Sequence, residues 1–423
     1  MAINTTWKVE IGTAASPVNF TSRVLSMNIR QSVDVNVIGR GVCVITLLNK
    51  DGALTPGGGG TYSSTDWFAQ GVYVNASTDT GGSATSTDVF DGIVVDFDLQ
   101  DDGVFSTVTI TALDFLTVGG KSPGPSLPSI ASVDYQTALG VAISNSAFAG
   151  VTLYLPLLGS LTFTTSATQV GGNSTFNVKS DSAISWYSLA DVWQTSLIPS
   201  GNDTVWATNI STTGTNVQYN YAFNPDTNTR GTATRVDFEF DPPASLSGSK
   251  LPFENDQFSQ AFNNDTLITQ ATINANYTGA TAVTASSSNV NTYGNRTVQF
   301  SDTLLVDSTA TTNMATKLVN RYGVSRFNPV SLRLSASMVK TRAADAAESK
   351  WRGLLGISSG LWQKAKVTWT GSGASSQTVL CMTKARTINV TPSDTVVTLE
   401  LGNWYDNHGF ILDEDELDYG RLG

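Results

Sequence analysis

Gly41-Val42-Cys43-Val44-Ile45-Thr46-Leu47-Leu48-Asn49-Lys50-Asp51-Gly52-Ala53-Leu54-Thr55-Pro56 is the stretch on which the reading of this chain turns. Its first eight residues are nearly continuous in apolar character, as for a strand buried on both faces. Asn49-Lys50-Asp51-Gly52 ends it, because Asn and Asp bond their own backbone and Gly accepts positive φ. Pro56 and Gly57 to Gly60 carry the chain onward as a loop.

Working outward, Trp7-Lys8-Val9-Glu10-Ile11 alternates and predicts a strand, and Val24-Leu25-Ser26-Met27-Asn28-Ile29 a second. Residues 90–98 and 104–113 predict a hairpin across Gln100-Asp101-Asp102-Gly103, and the block closes near Leu116. A Gly/Pro/Ser-rich stretch at 119–129 marks a boundary. Helical spacing predicts helices over 134–144, 182–195 and 308–322. Strands are expected over 151–178, 237–241, 267–275 and 328–404, the last interrupted by a loop or short helix at 343–356. The fold class expected is mainly β with a few short helices. The domains expected are 1–116, a central domain 117–210 with short helices, a second central region 211–322, and 323–423.

The two ends resemble each other. Val108-Thr109-Ile110-Thr111-Ala112-Leu113 matches Val397-Thr398-Leu399-Glu400-Leu401-Gly402 at an offset of 289 (399 − 110), which puts Phe90 on Val379. Val44-Ile45-Thr46-Leu47 matches Val330-Ser331-Leu332-Arg333 at 286 (330 − 44). The shared order of strand, long connection, strand, turn and strand predicts a duplicated β domain, barrel or sandwich, flanking a mixed α+β centre.

Composition agrees with this class and excludes others. Of 423 residues 40% are hydrophobic, enough for sizeable cores, and only 14% are charged, against about 25% in ordinary globular proteins. The net charge is −11 and the 24 basic residues are scattered, so a nucleic-acid-gripping role is not expected. The two cysteines, Cys43 and Cys381, make no disulfide framework and no CxxC spacing; buried, reduced and unpaired thiols are expected. Met1 to Lys8 carries no basic or long apolar segment, so no signal peptide is expected. No apolar run reaches about 18 residues, so no membrane-spanning helix is expected.

Taken in order, these segments resemble the minor tail proteins of siphophages, a family common in phages of actinobacteria, over most of the chain. The first two strands, the segment from Gly41 to Pro56, Phe90-Asp91-Gly92-Ile93-Val94, Ala112-Leu113-Asp114, and Tyr293-Gly294-Asn295-Arg296 with the helix after it carry the resemblance. The long Ser/Thr/Asn-rich middle departs from it. The family is similar to baseplate hubs, and that similarity implies a homotrimer in which each chain supplies two tail-tube-like β domains to a pseudo-sixfold ring. It further implies a structural protein of the virion tail tip, assembled in the host cytoplasm and lining the DNA passage. The partners implied are the distal tail protein, the tape measure and tip or fibre proteins, with DNA only in transit.

Chemistry finds little footing. His408 is the one histidine and sits near the C-terminus, so a Ser-His-Asp site, which would have to use it, is not expected. Asp96, Asp98, Asp101 and Asp102 cluster at the predicted hairpin. Two carboxylates could serve a glycosidase at the right separation, but a solvated turn explains them more simply. Asp413-Glu414-Asp415-Glu416-Leu417-Asp418 lacks the Gly and distal Glu of an EF-hand. It reads as a solvated tail or, at Asp413, Glu414, Asp415 and Glu416, a docking segment. Gly57 to Gly60 lack the following Lys and Ser/Thr of a P-loop; Trp67 and Phe68 beyond them are candidate partner contacts. No catalytic residue, cofactor or metal is expected. The rival reading is a peripheral carbohydrate- or receptor-binding tip protein, which a cluster of exposed aromatics on one face would favour; a tail-associated hydrolase is a third.

Overall fold

The computed structural model describes residues 2–114 and 238–403 apart from short stretches, and seven short strands between them. The first block contains β1 (Asn4–Thr13), β2 (Ser16–Asn19), β3 (Val24–Asp34), β4 (Val37–Ile38), β5 (Val42–Leu48), β6 (Gly71–Asp79), β7 (Thr85–Asp101) and β8 (Ser106–Asp114). The middle contains β9 (Ser126–Leu127), β10 (Val133–Asp134), β11 (Thr162–Thr165), β12 (Thr175–Phe176), β13 (Ile184–Ser185), β14 (Val205–Ile210) and β15 (Asn216–Ala222). Then come β16 (Phe238–Asp241), β17 (Leu251–Pro252), β18 (Ser259–Phe262), β19 (Gln270–Ala275), β20 (Val283–Ser286), α1 (Val290–Tyr293), β21 (Thr297–Thr303) and α2 (Ser308–Tyr322). The last block holds β22 (Phe327–Ser335), α3 (Ala336–Arg342), α4 (Glu348–Leu355), β23 (Lys364–Thr370), β24 (Ser376–Val390) and β25 (Thr395–Asn403). The chain is mostly β, with few short helices and a large, mainly antiparallel sheet. No described helix is long and apolar enough to cross a membrane.

The decisive segment forms β5 and its turn. Cys43, Ile45 and Leu47 are fully buried, while Val42, Val44, Thr46 and Leu48 are only half-buried. The strand is therefore covered on one face rather than on both, as suits an antiparallel sheet with a single core side. Asn49 organises the turn. Its Oδ1 accepts from Leu54 N–H at 2.8 Å, and its Nδ2 donates to Thr55 Oγ1 at 3.0 Å and Ser106 Oγ at 3.1 Å. Gly52, at φ 67°, donates back to Asn49 O, a conformation that suits glycine. Arg23 grips the same turn, with paired bonds to both Asp51 carboxylate oxygens at 2.8 and 2.6 Å.

The predicted helix over 308–322 is α2. Its Ala315, Leu318, Val319 and Tyr322, spaced i, i+3, i+4 and i+7, pack on Ala271 and Ile273 of the small sheet β20-β19-β21. The interruption expected at 343–356 holds α4 and, ahead of it, a 3₁₀ turn; α3, just before, is capped by Ser335 Oγ, which accepts from Met338 N–H. The other two predicted helices differ where they can be seen. Asp134 belongs to β10 and residues 184–185 to β13, each in a two-stranded ladder; the rest of both stretches lies outside the described residues. Four-residue helical spacing in a Ser/Thr-rich run is weak against strand pairing.

Fifteen strands join one sheet, along the path β17-β16-β23-β24-β3-β5-β8-β7-β6-β1-β2 with β4, β18, β22 and β25 attached beside it. No pairing among the described residues closes it into a barrel. The sequence repeat reappears as a repeat of pairing, except that the ladders set Val44 equivalent to Ser331, one residue beyond the Val330 of the sequence match. The order β3-β5-β8-β7-β6 is matched by β18-β22-β25-β24-β23, antiparallel throughout. All nine β7–β8 pairs recur in β24–β25 at the same offset: Phe97↔Ile110 becomes Arg386↔Leu399 (386 − 97 = 289). Even the bulge is conserved in place, between Val94 and Asp96 in one hairpin and between Thr383 and Ala385 in the other. One apolar core, from Ile3 through Ile110 to Leu401, runs beneath both halves.

Candidate functional site

The halves meet along β24. Its first part pairs with β23, from Ser376↔Thr370 to Met382↔Lys364; its second part leaves β23 and pairs with β3, from Ala385↔Ser32 to Val390↔Met27. The side chains of Asn28 and Asn389, opposite each other, are hydrogen-bonded. Arg386 locks the junction from inside. Fully buried, it donates through Nη1 to Leu354 O and Gly356 O at 2.7 Å each, and through Nε and Nη2 to Gln31 Oε1 at 3.0 and 2.5 Å. These acceptors are neutral, and two of them are carbonyls at the C-terminal end of α4, where the helix dipole favours a cation. Burial pulls the guanidinium down to about 9, so it remains charged at neutral pH. Trp7 Nε1 to Thr395 Oγ1 (2.8 Å) and Trp351 Nε1 to Thr5 Oγ1 (2.9 Å) tie the halves at two further points.

The repeat exposes an asymmetry. The outer part of β24 is covered by β3, yet the matching part of β7, residues 96–100, has no strand on the side away from β8 among the described residues. There the Phe97 N–H is taken by the Asp96 side chain at 3.0 Å. The central strand β14 approaches β7, but no ladder joins them. At the opposite end β18, the counterpart of β3, pairs only with β22.

The predicted contact residues Trp67 and Phe68 sit beside the open stretch of β7. Trp67 is buried, stacked on Phe97 with ring centroids 5.0 Å apart and flanked by Phe20 and Tyr62. It is a core residue that fixes the loop. Phe68, its neighbour, projects outward and is 61% exposed. Asp413, Glu414, Asp415 and Glu416, like His408, lie outside the described residues.

Asp96 and Asp98 are exposed on β7; Asp96 binds its own neighbour's N–H and Asp98 accepts from Gln100 Nε2 at 3.2 Å. Asp102 lies outside the described residues. No cluster of three or more His, Cys, Asp or Glu side chains able to hold a metal occurs among the described residues. Cys43 and Cys381 are buried and unpaired, and burial pushes both thiols up, away from thiolate chemistry. Among the described residues Phe68 and Val330 are the exposed large hydrophobics, so no platform of aromatics forms there. The sequence signalled none of the junction's polar chemistry, since Arg386 sits in a strand of mixed polar residues.

No family model matches the chain, and the curated proteins contain no match to it. Solved structures do resemble it. The tail protein from Neisseria meningitidis MC58 superposes with a TM-score of 0.53 at 11% identity, over 94% of this chain and 96% of that one. Two others are fainter likenesses. They are the 43 kDa tail protein of prophage MuSo2 from Shewanella oneidensis (TM-score 0.48, 9% identity, 94% and 98% covered) and the prophage tail protein gp18 from Listeria monocytogenes EGD-e (0.46, 10%, 93% and 94%). At such identity the first likeness is one of fold, and it extends over nearly the whole of both chains.

Proposed function

We propose that this chain is a non-enzymatic structural protein of a phage tail, a hub-type protein of the tail tip that works as a homotrimeric ring between the tail tube and the distal tip. The observation that carries the reading is the repeat of five paired strands within one chain, with the β7–β8 and β24–β25 hairpins matched pair for pair, bulge included, at one offset. Two like units side by side, taken three times, make six, the symmetry expected of a ring that continues a sixfold tube. The fold shared with a tail protein supports the tail assignment. In this reading the ring adjoins the distal tail protein, the tape measure and tip or fibre proteins, and DNA passes through it. Three copies carry 3 × −11 = −33 formal charges, and an acidic wall would repel the phosphate backbone rather than hold it through counterion release.

Native mass measurement of the purified protein, with its position determined in images of the virion, tests this. Three copies on the tail axis are expected. A stable monomer in virions, or a location off the axis, overturns it in favour of a peripheral receptor-binding role.

A further inference from the structure

We infer that the open stretch of β7 is completed by β18 of a second copy, in the register that β3 and β24 already use within one chain. The inference rests on the proposed ring for the number of copies, but its content is the contact itself. β24 and β7 are equivalent strands, matched pair for pair in their hairpins at an offset of 289 (386 − 97). β3 and β18 are equivalent by their places beside β5 and β22: Asn28↔Val44 and Arg30↔Val42 correspond to Ser259↔Ser331 and Gln260↔Pro329, with a bulge at Ser259/Gln260 absorbing one residue. In one half the pairing β3–β24 is made; in the other, neither equivalent edge has a ladder partner among the described residues, although β14 approaches β7. Bare edges are what natural sheets pair or cover.

Transferring the observed register gives the new one. Asn389↔Asn28 becomes Gln100↔Ser259, Thr387↔Arg30 becomes Asp98↔Gln260, and Arg386↔Gln31 becomes Phe97↔Ala261. Phe68, exposed beside the same edge, would be covered by the incoming copy. Two features fix the occupant. Asp96 and Asp98 are exposed on β7, so pairing β7 with another β7 would bring like charges together. The two bare edges also belong to different strands, so the contact is head to tail, the type that closes into a ring when the rotation allows.

The test is a disulfide at the predicted pair. The side chains of Asn28 and Asn389 touch, so cysteines at the equivalent positions would meet within disulfide reach. Gln100 and Ser259 are exposed, so Gln100→Cys and Ser259→Cys leave the fold intact, and the native thiols are buried. The full chain carrying both substitutions, mildly oxidised, is expected to run as covalent dimers and trimers on non-reducing gels. Mixing the two single variants should give a heterodimer, and Asp96→Cys with Ser259→Cys, off register, should give at least tenfold less product. Native mass is measured on the same samples. A trimer that fails to cross-link overturns the β7–β18 contact and leaves the ring; a monomer overturns both; a ladder that runs past three keeps the contact and overturns closure at three.

Discussion

Replacing Arg386 by Met is expected to destabilise the protein by about 3 kcal/mol or more. The side chain is fully buried and its guanidinium satisfies Leu354 O, Gly356 O and Gln31 Oε1. Methionine fills similar volume but leaves three acceptors dry, each costing about 1–3 kcal/mol. Relief from holding an unpaired cation in the interior offsets part of that, by a few kcal/mol at most. The two carbonyls cannot be engineered away, because they end α4, so the loss is expected to dominate. Arg386→Lys keeps the charge but not the fork, and is expected to recover less than half of the loss. Thermal and urea unfolding of the three proteins measures this; at about 1 °C per kcal/mol for a chain of this length, the Met variant should melt about 3 °C lower or more. A Met variant as stable as the parent would refute the view that this cation is held for the carbonyls it satisfies.

Two further outcomes follow from the turn after β5 and its neighbours. Asn49→Ala removes three side-chain bonds, including the acceptor for the buried Leu54 N–H, and is expected to cost about 2–3 kcal/mol by denaturant unfolding. Arg23 holds the Asp51 carboxyl well below the usual carboxylate range, so its contribution is present above pH ~4 and is lost as pH falls through the folded-state value. With Asp51 55% exposed, screening keeps that contribution under about 1 kcal/mol, and Asp51→Asn should flatten the acid limb of the stability curve by no more than this.

Much of this fold is written in apolar spacing. The helix over 308–322 has a clean stripe on α2, and the hairpin around Gln100 and its repeat near Leu399 stand out because buried β positions keep their residue class. Phase changes are what spacing hides. In β24, Cys381, Thr383 and Ala385 face inward, and then the bulge puts Arg386, Ile388 and Val390 inward as well. Without that extra residue Arg386 reads as a solvent-side arginine, so the junction's main polar anchor gave no signal. Trp67 misled in the opposite direction, since a tryptophan in a Gly-rich loop looks like a free anchor until Phe97, Phe20 and Tyr62 are seen around it. Nor does periodicity say which edge meets which: the partnership of β3 with β24 depends on shape and register across the whole chain.

That partnership also orders events in time. Ile29 pairs with Ile388, 359 residues later (388 − 29). Closing a loop that long costs about 3 kcal/mol more than closing a ten-residue hairpin, at about 0.6 kcal/mol per doubling. During synthesis β3 therefore waits beside β5 with one edge bare until β24 leaves the ribosome. A nascent chain in that interval presents to its neighbours the very edge that the finished chain has sealed. Crowded polysomes thus favour exchange of β24 between chains, and slow dilution of unfolded protein should return more monodisperse material than rapid refolding at high concentration.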